Sequence, residues 1–388
     1  MAVIAACGDD ISTIGNVPVQ IEDSAGVRIV TYAETPLTDP AFRLAAEPRY
    51  RHGANPGDYA FQEAGTGRLL PDGSAVVYDA WNAELVMFGR DGATFDVVAT
   101  EGEGPGDVEY VSAIFALGHD SILVADTNLG RVTLFVGREV AHTTDIRHAS
   151  NLGVEGIGSS GELLLATSNS PFRFEEEWFP GQMARLDMET GAVDTVASFD
   201  FNRRIPPELE WDPIAPIGRV MVAAGHFVHT RSDRAEVTWH RPDGTVTQIV
   251  RWQAEPALLT GEWLEPIEAE HRMSVRMHSP GVTDDWIAEV TRSNMAAYEA
   301  TLGRPLPRFG SPFADAAGRV WLPSYKPGGE LKSVPPYTVI GPGGEWLGTV
   351  EAPAAGFRIL DVAGGLVLGA EKDDMDVESL VVYELMGG

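Results

Sequence analysis

The sequence predicts an all-β chain built from repeated small sheets arranged around a common centre, and three observations predict it. Leu70 to Phe88 lies without a gap on Leu117 to Phe135 at a shift of 47 positions, with Ser74 on Ser121, Val77 on Val124, Asp79 on Asp126 and Phe88 on Phe135. A fixed period in this range marks a repeat array, in which a unit cannot bury its own apolar face and must stack on its neighbours. Apolar residues also recur with period two between turn residues, and 42 Gly and 26 Pro supply the turns. Finally, a chain of 388 residues buries roughly 75% of the surface it exposes when unfolded, so it holds together without a disulfide or a metal.

Six units can be counted along the chain. The two aligned stretches head the first two. The third runs from Gly161-Glu162-Leu163-Leu164-Leu165 through an insertion to Met183–Asp187, closing on Glu189-Thr190-Gly191. The fourth reads Val220-Met221-Val222-Ala223, Phe227-Val228-His229 and Glu236-Val237-Thr238-Trp239, with the turn Pro242-Asp243-Gly244. Gly318-Arg319-Val320-Trp321-Leu322 and Tyr337-Thr338-Val339-Ile340 make the fifth; Gly365–Gly369 and Ser379–Tyr383 make the sixth. Six four-stranded sheets set radially make a six-bladed β-propeller, which leaves few strand edges open. The ring has to close, and Val27–Tyr32 is expected to be the N-terminal strand that completes the blade begun near Phe357. A seven-bladed ring follows instead if Phe42–Tyr50 belongs to a blade of its own.

Two segments interrupt the pattern within a single propeller domain expected over residues 26–385. Residues 254–307 read as a helical insertion: Thr283 caps a helix whose first turn carries Asp284 and Asp285, and Trp286, Ile287, Val290, Ala297 and Tyr298 form its apolar stripe. A helix-like stretch from Gly261 to Met277 precedes it, with Pro266 in the first turn. Residues 168–182 form an aromatic-rich insertion containing Phe172, Phe174, Trp178 and Phe179.

Residues 1–25 read as the remnant of an anchor and a linker. Ile4-Ala5-Ala6-Cys7, followed by Gly8-Asp9-Asp10, resembles a bacterial lipobox, where a signal is cut before a cysteine that then carries lipid. The basic start of such a signal is expected upstream of Met1. Several acyl chains hold a protein firmly where one chain binds only marginally, and a single cysteine fits an exported protein that relies on its core rather than on disulfides. Charge excludes another class. With 28 Lys+Arg against 57 Asp+Glu and a net charge of −29, nucleic acid is not an expected partner, because that affinity comes from cations neutralising phosphates.

The loop Gly102-Glu103-Gly104-Pro105-Gly106-Asp107, the Asp-ended strand Leu123-Val124-Ala125-Asp126 followed by Arg131-Val132, and Gly318-Arg319-Val320-Trp321 resemble the six-bladed, NHL-like β-propeller lipoproteins of Gram-negative bacteria. The resemblance covers nearly all of residues 26–385; the third and fourth units depart from it in lacking the strand-ending Asp. It implies a fold and an extracytoplasmic compartment, and most members have no assigned activity.

Candidate chemistry is sparse. Gly53–Tyr59 and Gly102–Asp107 recur 49 positions apart, have no Lys-Ser/Thr and open no helix, so they are turns rather than phosphate loops. Glu103 resembles the metal-binding Glu of six-bladed lactonases, but a hard cation needs several oxygen ligands and no companion motif is present. Asp374, Asp376 and Glu378 lack the turn glycine of a calcium loop and read as a solvated acidic loop. His226 and His229 point to opposite faces of a strand, and His271 and His278 stand two helical turns apart. No catalytic residue, metal ligand or cofactor is therefore expected. The expected function is a non-catalytic extracytoplasmic binding or scaffold propeller, periplasmic or cell-surface, held to the membrane through lipid on Cys7 and docking a membrane protein complex. An accessory subunit of an energy-converting assembly such as a photosynthetic reaction centre is one instance. Its expected partner-binding residues are Phe172, Phe174, Trp178, Phe179, Trp263 and Trp286. The alternatives are a metal-dependent, lactonase-like hydrolase at the central channel and a peptide or glycan receptor.

Overall fold

The computed structural model describes residues 10–14, 17–36, 42–53, 57–171, 174–279, 281–328, 336–353, 357–372 and 377–387. Five strands precede the first repeat: β1 (Asp10–Ile14), β2 (Val17–Ser24), β3 (Val27–Tyr32), β4 (Phe42–Leu44) and β5 (Tyr50–His52). Blade 1 is β6 (Ala64–Leu69), β7 (Ala75–Asp79), β8 (Glu84–Phe88) and β9 (Phe95–Ala99); blade 2 is β10 (Val111–Ala116), β11 (Ser121–Asp126), β12 (Arg131–Val136) and β13 (Glu139–Asp145). Blade 3 comprises β14 (Leu152–Ile157), β15 (Leu163–Thr167), β16 (Trp178–Leu186) and β17 (Val193–Arg203). Blade 4 comprises β18 (Gly218–Ala223), β19 (His226–Arg231), β20 (Glu236–His240) and β21 (Val246–Trp252). After α1 (Leu264–His278) and α2 (Asp284–Ala300) comes blade 5, with β22 (Phe313–Ala314), β23 (Val320–Pro323), β24 (Tyr337–Ile340) and β25 (Trp346–Val350). Blade 6 takes β26 (Phe357–Ala363), β27 (Leu366–Lys372) and β28 (Glu378–Gly387) from the C-terminal end.

The six sheets form a six-bladed β-propeller. The first strand of each blade is innermost: β6 packs beside β10 and β26, and β14 beside β10 and β18. The core is distributed between blades. On β7, Ala75 and Val77 pack with Leu368 and Val382 of blade 6, whereas Val76 and Tyr78 pack with Ile114 and Val124 of blade 2. Successive side chains of a strand point to opposite faces, and a blade has a neighbour on each face. This is why Ala75-Val76-Val77-Tyr78 is apolar throughout and wholly buried. Each large apolar side chain so enclosed contributes about 1.5–3 kcal/mol.

An N-terminal strand does close the ring, but it is not Val27–Tyr32. The long β28 pairs antiparallel with β4 through Leu385↔Leu44 and with β5 through Val381↔Arg51, so residues 42–52 supply the outer strand of blade 6. No seventh blade forms from them. Val27–Tyr32 instead pairs in parallel with β21 and carries β2 and β1 behind it, extending blade 4 to a seven-stranded sheet. Packing explains the choice. Val19, Val30 and Tyr32 enter a cluster with Trp239, Val250 and Trp346 between blades 4 and 5. There the buried Tyr32 hydroxyl donates to the Gly344 carbonyl (2.8 Å) and accepts from the Trp346 N–H (3.0 Å). A Cβ on Gly344, whose φ is +86°, would come within 3.0 Å of Val30, so this approach requires glycine.

The interruption between β21 and β22 is helical. Thr283 Oγ1 accepts from the Trp286 N–H at 3.2 Å, capping α2. Ile267 of α1 and Met295 and Tyr298 of α2 share a buried cluster with Ile214, Leu259 and Leu306. Arg304 with Asp212 (2.7 Å) and Lys326 with Glu270 fix the hairpin to the loops that enter blade 4 and cross blade 5.

Candidate functional site

Antiparallel blades put two kinds of loop on opposite ends of the ring. Turns joining the first strand to the second open on one face; loops joining the second strand to the third, and one blade to the next, open on the other. The helical hairpin joins blades 4 and 5 and the aromatic-rich segment joins β15 to β16, so both insertions emerge on the same face.

The sequence-predicted aromatics divide there. Cys7 and Phe172 lie outside the described residues. Phe179 packs against the cluster that holds Leu164 and Phe227, and Phe174 meets it with ring centroids 5.5 Å apart. Trp178 lies under the Arg231 guanidinium, 4.0 Å from its ring centre. Trp263 packs beside the helix cluster. Trp286, by contrast, is 43% exposed. Two aromatics that sequence reasoning missed stand further into solvent: Trp81, 76% exposed in the β7–β8 turn, and Tyr110, 54% exposed just before β10. The repeat held a signal for the first, because Trp81 falls on Asn128 at the shift of 47.

The repeated motifs are structural. Asp79 Oδ2 accepts from the Gln62 N–H (3.1 Å) and its Oδ1 from the N–H groups of Glu63 (3.3 Å) and Asn82 (3.3 Å). Asp126 repeats the device one unit on, with Glu109 (2.7 Å), Tyr110 (3.0 Å) and Leu129 (2.9 Å). The carboxylate that ends the second strand thus clamps the segment entering its own blade. In the Gly-rich loop, Asp107 accepts from the Gly104 N–H (2.8 Å), while Arg131 donates to the carbonyls of Glu103, Gly104 and Asp107. Glu103 itself is exposed on this loop and does not line the axial cavity. Glu378 is buried, bonds the Ala64 N–H at 2.6 Å and has Lys372 within 3.7 Å, so it is not part of a solvated loop; Asp374 and Asp376 lie outside the described residues. His226 and His229 lie three positions apart on β19, and burial pushes His229 down to about 4. Among the described residues no three His, Cys, Asp or Glu side chains converge as a metal site.

Ionisable residues that no sequence expectation named line a cavity on the axis. A cavity of about 660 Å³ is lined by the inner strands of all six blades, with Arg68, Glu155, Arg219, Asp315 and Asp361 as its ionisable residues. Backbone irregularity builds it. The register between β14 and β15 skips Glu155, two residues before the hairpin pair Ile157↔Leu163, and β26 skips Leu360, which also lines the cavity; β6 and β10 carry their bulges farther from their hairpins, at Gly65 and Ser112. A bulge bends its strand and re-aims a side chain. Burial pushes Glu155 up to about 7 against the pull of Arg219, and burial lowers Arg219 against the pull of Glu155. Asp361 is raised by burial although Arg68 opposes it. A carboxyl that titrates near neutrality inside a cavity can take or give a proton at physiological pH.

Comparison with known proteins gives the fold and nothing finer. No family model matches the chain, and no curated protein matches it. Among solved structures it is similar to a protein of Bacteroides fragilis provisionally described as exported, with 9% identity, a TM-score of 0.50 and 93% and 99% of the two chains covered. A member of the duf4221 family from Bacteroides vulgatus is similar at 11% identity, TM-score 0.50, with 89% and 99% covered. Regucalcin, a calcium-binding protein from Agrobacterium tumefaciens, aligns at 11% identity and TM-score 0.45 over 90% and 98%. At such identities a shared fold does not carry a shared function.

Proposed function

We infer that the protein is a non-catalytic extracytoplasmic binding propeller, tethered through lipid on Cys7, that docks a protein partner with its insertion-bearing face. One observation carries this reading: Trp81, Tyr110 and Trp286, contributed by three separate segments of the chain, stand exposed on the same face as both insertions. Large amphipathic side chains of this kind anchor protein interfaces, and insertions into repeat arrays gather on the binding face. The lipobox-like Ile4-Ala5-Ala6-Cys7 supports the compartment. A net charge of −29 favours a partner with a basic surface, since complementary charge sets encounter rate and orientation.

The test is purification from membranes in mild detergent, using the protein expressed behind a bacterial lipoprotein signal peptide. A stoichiometric partner is expected to accompany it, and to be lost in a Trp81→Ala/Trp286→Ala variant that keeps its melting temperature. Recovery as a lone monomer, or capture unchanged by those substitutions, defeats the reading.

A further inference from the structure

The axial cavity contains two charged side chains that the fold does not use. Asp315 is fully engaged, accepting from Arg319 Nε (2.5 Å), Trp321 Nε1 (2.8 Å) and the backbone of Ala317 and Arg319. Asp361 accepts from the Leu69 N–H (2.8 Å) with Arg68 at 3.9 Å, and Arg68 donates to the carbonyls of Gly67 and Leu360. Arg219, in contrast, makes one hydrogen bond, to the Gly218 carbonyl at 3.1 Å, and stands 5.3 Å over the Phe201 ring. Among the described residues it has no carboxylate within ion-pair distance, and Glu155 has neither a hydrogen bond nor an ion pair.

Arg219 is half-buried and has no carboxylate partner among the described residues, and a partly desolvated guanidinium gains from an anion that can pair with it. Its planar fork matches a carboxylate with two parallel hydrogen bonds. The walls around it mix polar side chains with three aromatic rings, Phe115, Phe201 and Phe313, on three different blades, and the volume is that of a pocket for a small organic molecule. We propose that the axial cavity binds a small monocarboxylate with an apolar body, the carboxylate seated on the Arg219 guanidinium and the body against Phe115, Phe201 and Phe313.

Glu155 then acts as the proton partner of the bound anion. The charged groups facing it are Arg219 of β18, Arg68 of β6, Asp361 of β26 and Asp315 after β22; β10 presents Phe115 and Ala116, and β15 presents Thr167 and Ser168. Arg68 and Asp361 offset each other and Asp315 is neutralised by Arg319. An arriving anion that occupies Arg219 removes the main attraction holding Glu155 ionised, so Glu155 takes up a proton on binding. The anion's affinity therefore falls as pH rises through about 7.

The experiment titrates the full chain with benzoate by calorimetry at several pH values, with benzamide and benzylamine as uncharged and cationic counterparts. A surface of net charge −29 disfavours loose anion adsorption, so saturable benzoate binding reports the cavity. The expected result is benzoate binding that weakens above neutral pH, weakens about tenfold or more in Arg219→Gln, and becomes independent of pH in Glu155→Gln. Arg219→Lys keeps the charge without the fork, so its affinity is expected to fall between the two; it also keeps the test decisive if Arg219→Gln misfolds. Binding of benzylamine in place of benzoate, no benzoate binding at millimolar concentration, or benzoate affinity unmoved by both Arg219 variants overturns the proposal.

Discussion

Replacing Glu155 by Gln tests whether the cavity is dry enough to make its carboxyl a burden on the folded state. Burial raises this group from 4.5 to about 7 even though Arg219 pulls the other way, so desolvation outweighs the attraction. Each tenfold change in proton affinity is worth about 1.4 kcal/mol, and the full shift therefore sets a ceiling of about 3 kcal/mol. Water entering the cavity screens it, leaving an expected effect of about 1–3 kcal/mol. The sign follows from linkage. Below about pH 4.5 both folded and unfolded chains hold the proton, and the substitution changes little. Between that pH and about 7 the unfolded chain releases the proton while the folded one keeps it, so native stability falls as pH rises and then levels off. Gln has no such proton. E155Q is expected to match the parent near pH 4.5 and to exceed it by about 1–3 kcal/mol at pH 8, measured by urea unfolding followed through tryptophan fluorescence. The other carboxylates titrate in both proteins and cancel from the difference. Equal stability at both pH values, or a less stable E155Q at pH 8, refutes the argument, since the second result means that the Arg219 attraction wins.

The clamping aspartates should rank by the number of donors they leave stranded. Asp79 also accepts from Tyr59 Oη, the Trp81 N–H and Asn82 Nδ2, so Asp79→Ala is expected to cost more than about 4 kcal/mol and Asp126→Ala about 2–4 kcal/mol, because buried groups without partners bear their full desolvation penalty. Urea unfolding that reverses this order removes the clamp explanation. Tyr32→Phe strands the Gly344 carbonyl and the Trp346 N–H and is expected to cost about 1–3 kcal/mol, with faster hydrogen exchange in residues 27–32; unchanged exchange there shows that β3 is held by other contacts.

The fold was legible because a propeller writes its core into each repeat. Val77 and Val124 are buried against different neighbours yet occupy one place in their blades, and a second strand buried on both faces recurs in blades 1, 2, 3, 5 and 6. The closing strand was not legible to the same degree. Val27–Tyr32 and residues 42–52 both suit an outer edge, and edge pairing is made by backbone groups that every residue shares. What separates them is Tyr32 reaching Gly344, a contact across 312 positions that no local pattern announces.

The axial site was hidden for a different reason, since its members come from different blades and one of them, Glu155, is aimed by a register shift rather than by periodicity. Its place in the array is nevertheless informative. Counted back from the hairpin pairs Leu69↔Ala75, Ala116↔Ile122 and Ile157↔Leu163, the place of Glu155 is held by Gly67 in blade 1 and Ile114 in blade 2, neither of them ionisable. Blade 3 is also the blade whose β15–β16 connection swells into the aromatic insertion. A carboxyl at that place carries a desolvation cost that Gly and Ile do not, and it is not offset by any hydrogen bond among the described residues. Stability of the ring gives no reason for that choice, and a ligand that draws on Glu155 and Arg219 together does.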